Sequence, residues 1–360
     1  MIHGHGGNIY DLAKKNGCRP DQIIDMSSNL NPLGPPPGLF QFLTDNMSVV
    51  KALPDAGATF LSENFQKAYG ITKGRVLAGN GTTEFIYTIP KALNIKKALI
   101  LGPTYSDYED ACRMNRTNCS FLMAEASNRF HRDPDRIAEK AKKTDMAFIC
   151  NPNNPTGTLI PFETLRKICK ACPETLFVID ESYLPFIASG RSETMIHSNS
   201  KNIIVLSSMS KIFSIPGLRT GFLKAPVKIT EKYRKYQLPW NVNSLAQKAA
   251  TYILQHQKEM DTFMDASRQF IKTERDRFLA RLKGIPYFTF FTGQVPFILI
   301  KLSGGLTAEA ISGNLSKDNI LIRNCKNFKG LTENYIRISL KGKHANQQLS
   351  KKLSALVARR

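Results

Sequence analysis

Residues 203–221 read Ile203-Ile204-Val205-Leu206-Ser207-Ser208-Met209-Ser210-Lys211-Ile212-Phe213-Ser214-Ile215-Pro216-Gly217-Leu218-Arg219-Thr220-Gly221. Four apolar residues pass directly into small hydroxyl residues around a single lysine, and an arginine follows eight residues later. The apolar run has the length and composition of a buried strand, so the polar cluster falls where that strand ends. A lysine in such a place is commonly solvated. A desolvated one has a lowered pKa and becomes an amine nucleophile toward an aldehyde. The serines and Arg219 offer donors to a dianionic phosphate. The rest of the chain has to decide between these readings.

The same pattern recurs upstream. Lys97–Leu101 ends at Gly102-Pro103-Thr104-Tyr105, and Met146–Cys150 ends at Asn151-Pro152-Asn153-Asn154-Pro155-Thr156-Gly157. Leu176–Ile179 ends at Asp180-Glu181-Ser182-Tyr183. Short apolar strands between helical segments predict a parallel α/β sheet covered on both faces. Sheets of this kind bind ligands beyond the carboxyl ends of their strands. Four polar strand ends at one edge form a site, and Lys211 belongs to it. A small molecule carrying both an aldehyde and a phosphate is pyridoxal 5'-phosphate (PLP).

Other stretches bear on the same site. Gly79-Asn80-Gly81-Thr82-Thr83-Glu84 precedes a helix predicted to begin near Thr83. It reads either as a phosphate-binding helix N-terminus or as a plain N-cap, and it lacks the third glycine of a dinucleotide fingerprint. Residues 1 to about 45 hold two clusters rich in Gly, Asn and Pro: His5-Gly6-Gly7-Asn8, and Asn29-Leu30-Asn31-Pro32-Leu33-Gly34-Pro35-Pro36. Each reads as an ordinary loop or as backbone shaped for close approach to a ligand. A long helix is predicted from Ser244 to near Leu282, then strands at Phe297–Ile300 and Tyr335–Leu340 in a smaller mixed domain. Arg323 and Arg337 are flanked by apolar residues there. Each reads as a cation facing a pocket anion or as a surface arginine on an edge strand. Leu349, Leu353, Leu356 and Val357 at helical spacing predict a packed terminal helix.

Composition bounds the function classes. A chain of 360 residues exceeds what one core usually supports, so two subdomains are expected. No run of about 18 apolar residues occurs, which argues against a membrane span. The first seven residues lack the basic and apolar regions of a signal peptide. Seven scattered cysteines favour reduced thiols and a cytoplasmic location. Cys169-x-x-Cys172 on the helical segment Phe162–Cys172 has no second pair or nearby histidine, so core packing is expected and no metal. Fifty Lys and Arg against 29 Asp and Glu give a net charge of +21. The basic residues are dispersed and no nucleic-acid motif stands out, so the charge reads as a solvated surface that attracts anionic metabolites.

In this order, the Asn151–Gly157 loop, the Asp180–Tyr183 cluster, and Ser208-x-Ser210-Lys211 with Arg219 resemble the PLP-dependent aminotransferases of fold type I across nearly the whole chain. The histidinol-phosphate aminotransferase branch is similar. His5-Gly6-Gly7-Asn8 followed by Asp25-Met26-Ser27-Ser28-Asn29-Leu30-Asn31-Pro32-Leu33-Gly34 looks like the threonine-phosphate decarboxylases of cobalamin biosynthesis. The resemblance implies a large domain over 45–240 with a mainly parallel seven-stranded sheet, and a smaller α+β domain from 1–44 and 241–360.

It also implies roles. Lys211 would bind the cofactor aldehyde and move protons. Asp180 would pair with the ring nitrogen, Asn154 and Tyr183 with the phenolic oxygen, and Tyr105 would stack on the ring. Gly81, Thr82, Thr83, Ser208, Ser210 and Arg219 would form the phosphate cup. Arg337 would bind the substrate carboxylate. Arg323 and the N-terminal loop, with His5, Gly7, Asn8 and Asn31, would meet the substrate's phosphate.

The implied activity is decarboxylation of O-phospho-L-threonine to (R)-1-amino-2-propanol O-phosphate for the nucleotide loop of cobalamin. O-phospho-L-serine and a histidinol-phosphate-like transamination are the alternatives. A homodimer acting on a small phosphorylated amino acid is expected, with no membrane partner. A nucleic-acid-binding regulator would carry a DNA-binding domain ahead of this signature, and none is expected. Leu53-Pro54-Asp55 stands where the family has Tyr-Pro-Asp, so a hydroxyl that would reach the neighbouring subunit's cofactor is missing.

Overall fold

The computed structural model describes residues 6–358. The strands begin with β1 (Ile24–Asp25). Then β2 (Arg75–Asn80), β3 (Lys97–Gly102), β4 (Asn118–Met123), β5 (Met146–Cys150), β6 (Leu176–Asp180), β7 (Ile203–Ser208) and β8 (Thr220–Ala225) build one sheet. Its order is β2-β8-β7-β6-β5-β3-β4. β8 runs antiparallel to both neighbours and every other pairing is parallel. The smaller domain adds β9 (Phe288–Thr292), β10 (Phe297–Leu302), β11 (Ile320–Leu321), β12 (Arg323–Asn324) and β13 (Tyr335–Ser339). Four of these form an antiparallel sheet ordered β12-β13-β10-β9, while β11 pairs with β1 in parallel.

Successive side chains of the central strands fall into two separate cores. Ala147, Ile149, Phe177, Ile179, Ile203 and Val205 pack on one face of the sheet. Met146, Phe148, Val178, Ile204 and Leu206 pack on the other. The two-residue period of a strand sends neighbours to opposite faces, and helices cover both, so these strands read as unbroken apolar runs. All four strands expected in this sheet are present, and three extend further at their C-terminal ends. β2, β4 and β8 escape that reading because Arg75, Asn118, Ser120, Gly221 and Lys224 interrupt them. Lys224 lies inside the sheet, and its amine donates to the Ser198 carbonyl.

Two helical expectations need adjustment. The helix expected near Thr83 starts at Gly81 and runs to Ala92. The single helix expected from Ser244 to Leu282 is two, Ser244–Gln255 and Gln257–Leu282. They break at His256, which leaves helical geometry (φ −107°, ψ 47°) while its ring Nδ1 lies 2.8 Å from the Tyr252 carbonyl. Cys169 and Cys172 are both buried in the core. The terminal helix Lys343–Ala358 buries Leu349 and Leu353 and packs on Gln257–Leu282. Among the described residues no helix is long and apolar enough to cross a membrane.

Phe222 of β8 stacks on Phe65 at 4.0 Å between ring centroids, tying the sheet to helix Thr59–Ala68. Phe222→Ala is expected to destabilise the protein by about 3–5 kcal/mol. Urea unfolding followed by circular dichroism measures this, and an unchanged midpoint would contradict the packing described.

Candidate active site

Because β2, β3, β5, β6 and β7 run in parallel, their C-terminal ends meet at one sheet edge. The chain leaves β7 at Ser208 and turns through Lys211, which is half-buried at the floor of the resulting cleft. Burial, then the nearby Arg219 and Arg337, lower the Lys211 pKa to about 8, while Asp180 opposes the shift. The amine is thus partly neutral near neutral pH.

The anion cup is assembled around helix Gly81–Ala92, whose N-terminus has no side-chain cap. Arg219 Nη2 lies 3.4 Å from Thr83 Oγ1, and its Nη1 donates to the Pro216 carbonyl at 3.3 Å. Gly81 has φ +73°, and a Cβ there would stand 2.6 Å from Arg219 Nη2, so only glycine leaves this approach open. Ser210 N–H donates to Ser208 Oγ at 3.2 Å, and the Ser210 hydroxyl donates to the Thr220 carbonyl at 3.4 Å. An uncapped helix N-terminus, three hydroxyl side chains and a guanidinium suit a phosphate ester. With the neutralisable amine and a buried carboxylate alongside, the donor set fits the cofactor that the resemblance implies.

That carboxylate is Asp180. Ser182 donates to Oδ1 from its N–H at 3.0 Å and its hydroxyl at 2.5 Å, and the Tyr108 hydroxyl donates to Oδ2 at 2.9 Å. Burial still pushes the Asp180 carboxyl up, so a positively charged partner would be needed to draw it back down. Tyr183 accepts from Asn29 Nδ2 at 3.1 Å, and burial pushes its hydroxyl up to about 12. Tyr105 lies edge-on to Tyr108 at 5.8 Å.

Arg323 and Arg337 are both buried and lie directly opposite each other on β12 and β13. Arg337 donates to Asn154 Oδ1 and to the Ser27 carbonyl, each at 2.5 Å, and its Nε is buried without a hydrogen-bond partner. Arg323 donates to Asn327 Oδ1 at 2.7 Å and lies over the Phe328 ring. Burial, then Arg337, bring Arg323 down to about 10. No ion pair among the described residues involves Lys211, Arg219, Arg323 or Arg337. Like charges facing across a strand pair repel, so an anion between them would relieve the repulsion.

The N-terminal residues divide. Gly7 N–H donates to Ser27 Oγ at 2.7 Å, which places the loop beside Arg337's partner. Asn8 instead caps helix Ile9–Asn16, accepting from Asp11 N–H. Asn31 was expected at the substrate phosphate, yet its Nδ2 donates to the Ile212 carbonyl and to Ser267 Oγ, each at 2.7 Å. Its own N–H donates to the Lys211 carbonyl at 3.0 Å, so Asn31 fixes the lysine turn. His5 lies outside the described residues. Leu53 is 74% exposed, and the neighbouring Asp55 carboxylate accepts from Gly57 and Phe60 N–H groups.

The sequence reading gives Tyr108, Ser182, Asn29 and Lys341 no role of their own, although Ser182 and Asn29 lie in motifs it quotes. Ser182 could have been found, since a serine two residues after a strand-end aspartate is a local turn partner. Tyr108 follows Tyr105 by three residues, in the first turn of helix Asp107–Met114, and nothing in the sequence aims it at Asp180.

The profile of the family described as "Aminotransferase class I and II" matches residues 21–356. The adenosylcobalamin biosynthesis bifunctional protein CobDQ of Leptospira interrogans is 33% identical over 96% of this chain, which spans 40% of that protein's length. The threonine-phosphate decarboxylase of Salmonella typhimurium is 30% identical, over 96% of this chain and 94% of its own. Among solved structures, the histidinol-phosphate aminotransferase of Clostridium acetobutylicum has a TM-score of 0.85 at 27% identity, covering 94% of this chain and all of that one. The L-threonine-O-3-phosphate decarboxylase of Porphyromonas gingivalis has a TM-score of 0.82 at 28% identity, covering 93% and 100%.

Reductive methylation of the cofactor-free protein with formaldehyde tests the environment of Lys211. Only the neutral amine reacts, so its labelling should rise with pH and reach half-maximum near 8, against about 10.4 for exposed lysines. A midpoint near the ordinary lysine value would rule out a desolvated amine.

Proposed function

The chain belongs to the aminotransferase class I and II family, and from that footing we propose that it decarboxylates O-phospho-L-threonine to (R)-1-amino-2-propanol O-phosphate. Its cofactor is pyridoxal 5'-phosphate. When bound, the cofactor supplies an electron sink for the pair released at the substrate's Cα. Gly81, Thr82, Thr83, Ser208, Ser210 and Arg219 would hold its phosphate, and Asp180 its ring nitrogen. Asn154 and Tyr183 would hold its phenolic oxygen, and Tyr105 would cover the ring face. Lys211 Nζ would hold the aldehyde carbon and afterwards carry a proton to Cα.

The observation that carries the substrate reading is the buried pair Arg323 and Arg337, which form no ion pair among the described residues, with Arg337 near enough to Lys211 to lower its pKa. Two guanidiniums match one carboxylate and one phosphate, which is the charge pattern of a phosphorylated amino acid. The relatives named as threonine-phosphate decarboxylases support decarboxylation. Which bond at Cα breaks would depend on how Arg323, Arg337 and the N-terminal loop orient the substrate through its carboxylate and phosphate.

A second reading has its own support. Arg337 donates to Asn154, and an arginine that fixed the substrate's carboxylate and left the Cα proton free to be removed would favour transamination, as the histidinol-phosphate aminotransferase names suggest. Phosphoserine differs from phosphothreonine by one methyl group, which is worth about 1–3 kcal/mol of discrimination.

The test is carbon dioxide release from phosphothreonine, phosphoserine and histidinol phosphate, with and without 2-oxoglutarate. Release from phosphothreonine independent of 2-oxoglutarate is expected. Amino-group transfer without carbon dioxide would establish the aminotransferase reading instead.

The proposal includes a homodimer in the cytoplasm. All seven cysteines are unpaired, in keeping with a reducing compartment. Met47, Val50, Leu53, Phe60, Leu238 and Trp240 are exposed apolar side chains. Their segments are tied together where Trp240 N–H donates to the Ala56 carbonyl at 2.8 Å. A surface of this kind suits a second copy. Sedimentation equilibrium should give twice the chain mass of 40.3 kDa, and Trp240→Glu should shift it toward the single chain. A monomeric parent protein would remove this part of the proposal.

A further inference from the structure

Asp25 ends β1, and the sequence assigns it no part in the chemistry. Its Oδ1 accepts from Ser27 N–H at 2.9 Å, the Ser27 hydroxyl at 2.6 Å and Ser28 N–H at 3.2 Å. Its Oδ2 accepts from the Ser28 hydroxyl. Four donors on one carboxylate hold residues 25–28 in a single turn.

That turn joins parts that are distant in sequence. The Ser27 hydroxyl oxygen accepts the Gly7 N–H at 2.7 Å, while the Ser27 carbonyl accepts Arg337 Nη2 at 2.5 Å. The Ser28 carbonyl accepts Lys341 Nζ at 3.0 Å. Gly6 packs so closely that a Cβ would come 2.5 Å from the Ser27 carbonyl oxygen. Ser27 is 1% exposed, so water cannot replace these bonds. Burial pushes the Asp25 carboxyl up, but its bonds from Ser27 and Ser28 and the nearby Lys341 outweigh that and leave it below the usual carboxylate range. Lys341 and Arg337 are the charged groups that face it.

We infer that Asp25 is a positioning residue: through Ser27 it sets the N-terminal glycine arm against Arg337, and so fixes where the substrate's anionic groups sit. Both of its carboxylate oxygens are taken up by Ser27 and Ser28, so it acts through them. The inference rests on the phosphoamino-acid reading above.

Asp25→Asn keeps the shape but replaces one acceptor oxygen with a donor, and Ser27→Ala removes the hydroxyl that relays to Gly7. Two measurements on the holoenzyme decide the matter. The first, amide hydrogen exchange at Gly7, needs no substrate. Exchange should quicken in both variants, and unchanged protection in Asp25→Asn overturns the inference. The second is titration with O-phospho-L-threonine, read from the cofactor's absorbance. Affinity should weaken about tenfold in each variant, the loss of one hydrogen bond to a charged group. The double variant should be no weaker than either single one, because the two residues act as one unit.

Additive losses, or wild-type affinity in Asp25→Asn, overturn the inference. If Asp25→Asn fails to fold, Ser27→Ala decides alone, since wild-type affinity and Gly7 protection in that variant overturn the relay. A parent holoenzyme whose absorbance ignores phosphothreonine overturns the substrate reading, while exchange at Gly7 still reports whether Asp25 holds the arm.

Discussion

Arg323 and Arg337 face each other across an antiparallel strand pair, and among the described residues neither forms an ion pair with a carboxylate. Burying two guanidiniums in that arrangement is unfavourable unless an anion joins them. Around this constraint lie the other cations, Lys211 with its lowered pKa, Arg219 at the helix N-terminus, and Lys341. Asp180 and Asp25 are the acids set among them, and hydrogen bonds hold both in place. The strand-end site thus gathers five cations around two hydrogen-bonded carboxylates, an excess of positive charge that favours anionic ligands.

The large sheet supplies one half of this arrangement and the smaller domain the other. Parallel strands deliver Asn154, Asp180, Ser208 and the turn to Lys211 at a single edge. The antiparallel sheet delivers the arginines, and Arg337 crosses to Asn154 to join the two. Helix Gln257–Leu282 adds Ser267, which receives Asn31, and Asn31 in turn holds the Lys211 turn. Moving the smaller domain would therefore disturb the lysine as well as the arginines.

Much of this was legible in the chain because local chemistry announces it. Apolar runs that end in Asn-Pro or Asp-Glu clusters mark strands and their functional ends, and the structure extends them by only a residue or two. The readings that shifted were those where a residue type fits two tasks. Asn31 and Asn8 sit in glycine- and asparagine-rich loops that resemble ligand loops, yet one braces a turn and the other caps a helix. The long helix was read as continuous because His256 lies within an otherwise helical pattern.

By itself the sequence determined four central strands and their polar ends, the strand-end lysine and the excess of positive charge, since these follow from periodicity and composition. Only the tertiary structure decided that Arg323 and Arg337 oppose each other, that Tyr108 reaches Asp180, and that Ser27 links Gly7 to Arg337. Each of those contacts joins positions that strand pairing and domain packing bring together, and no local pattern encodes such pairings.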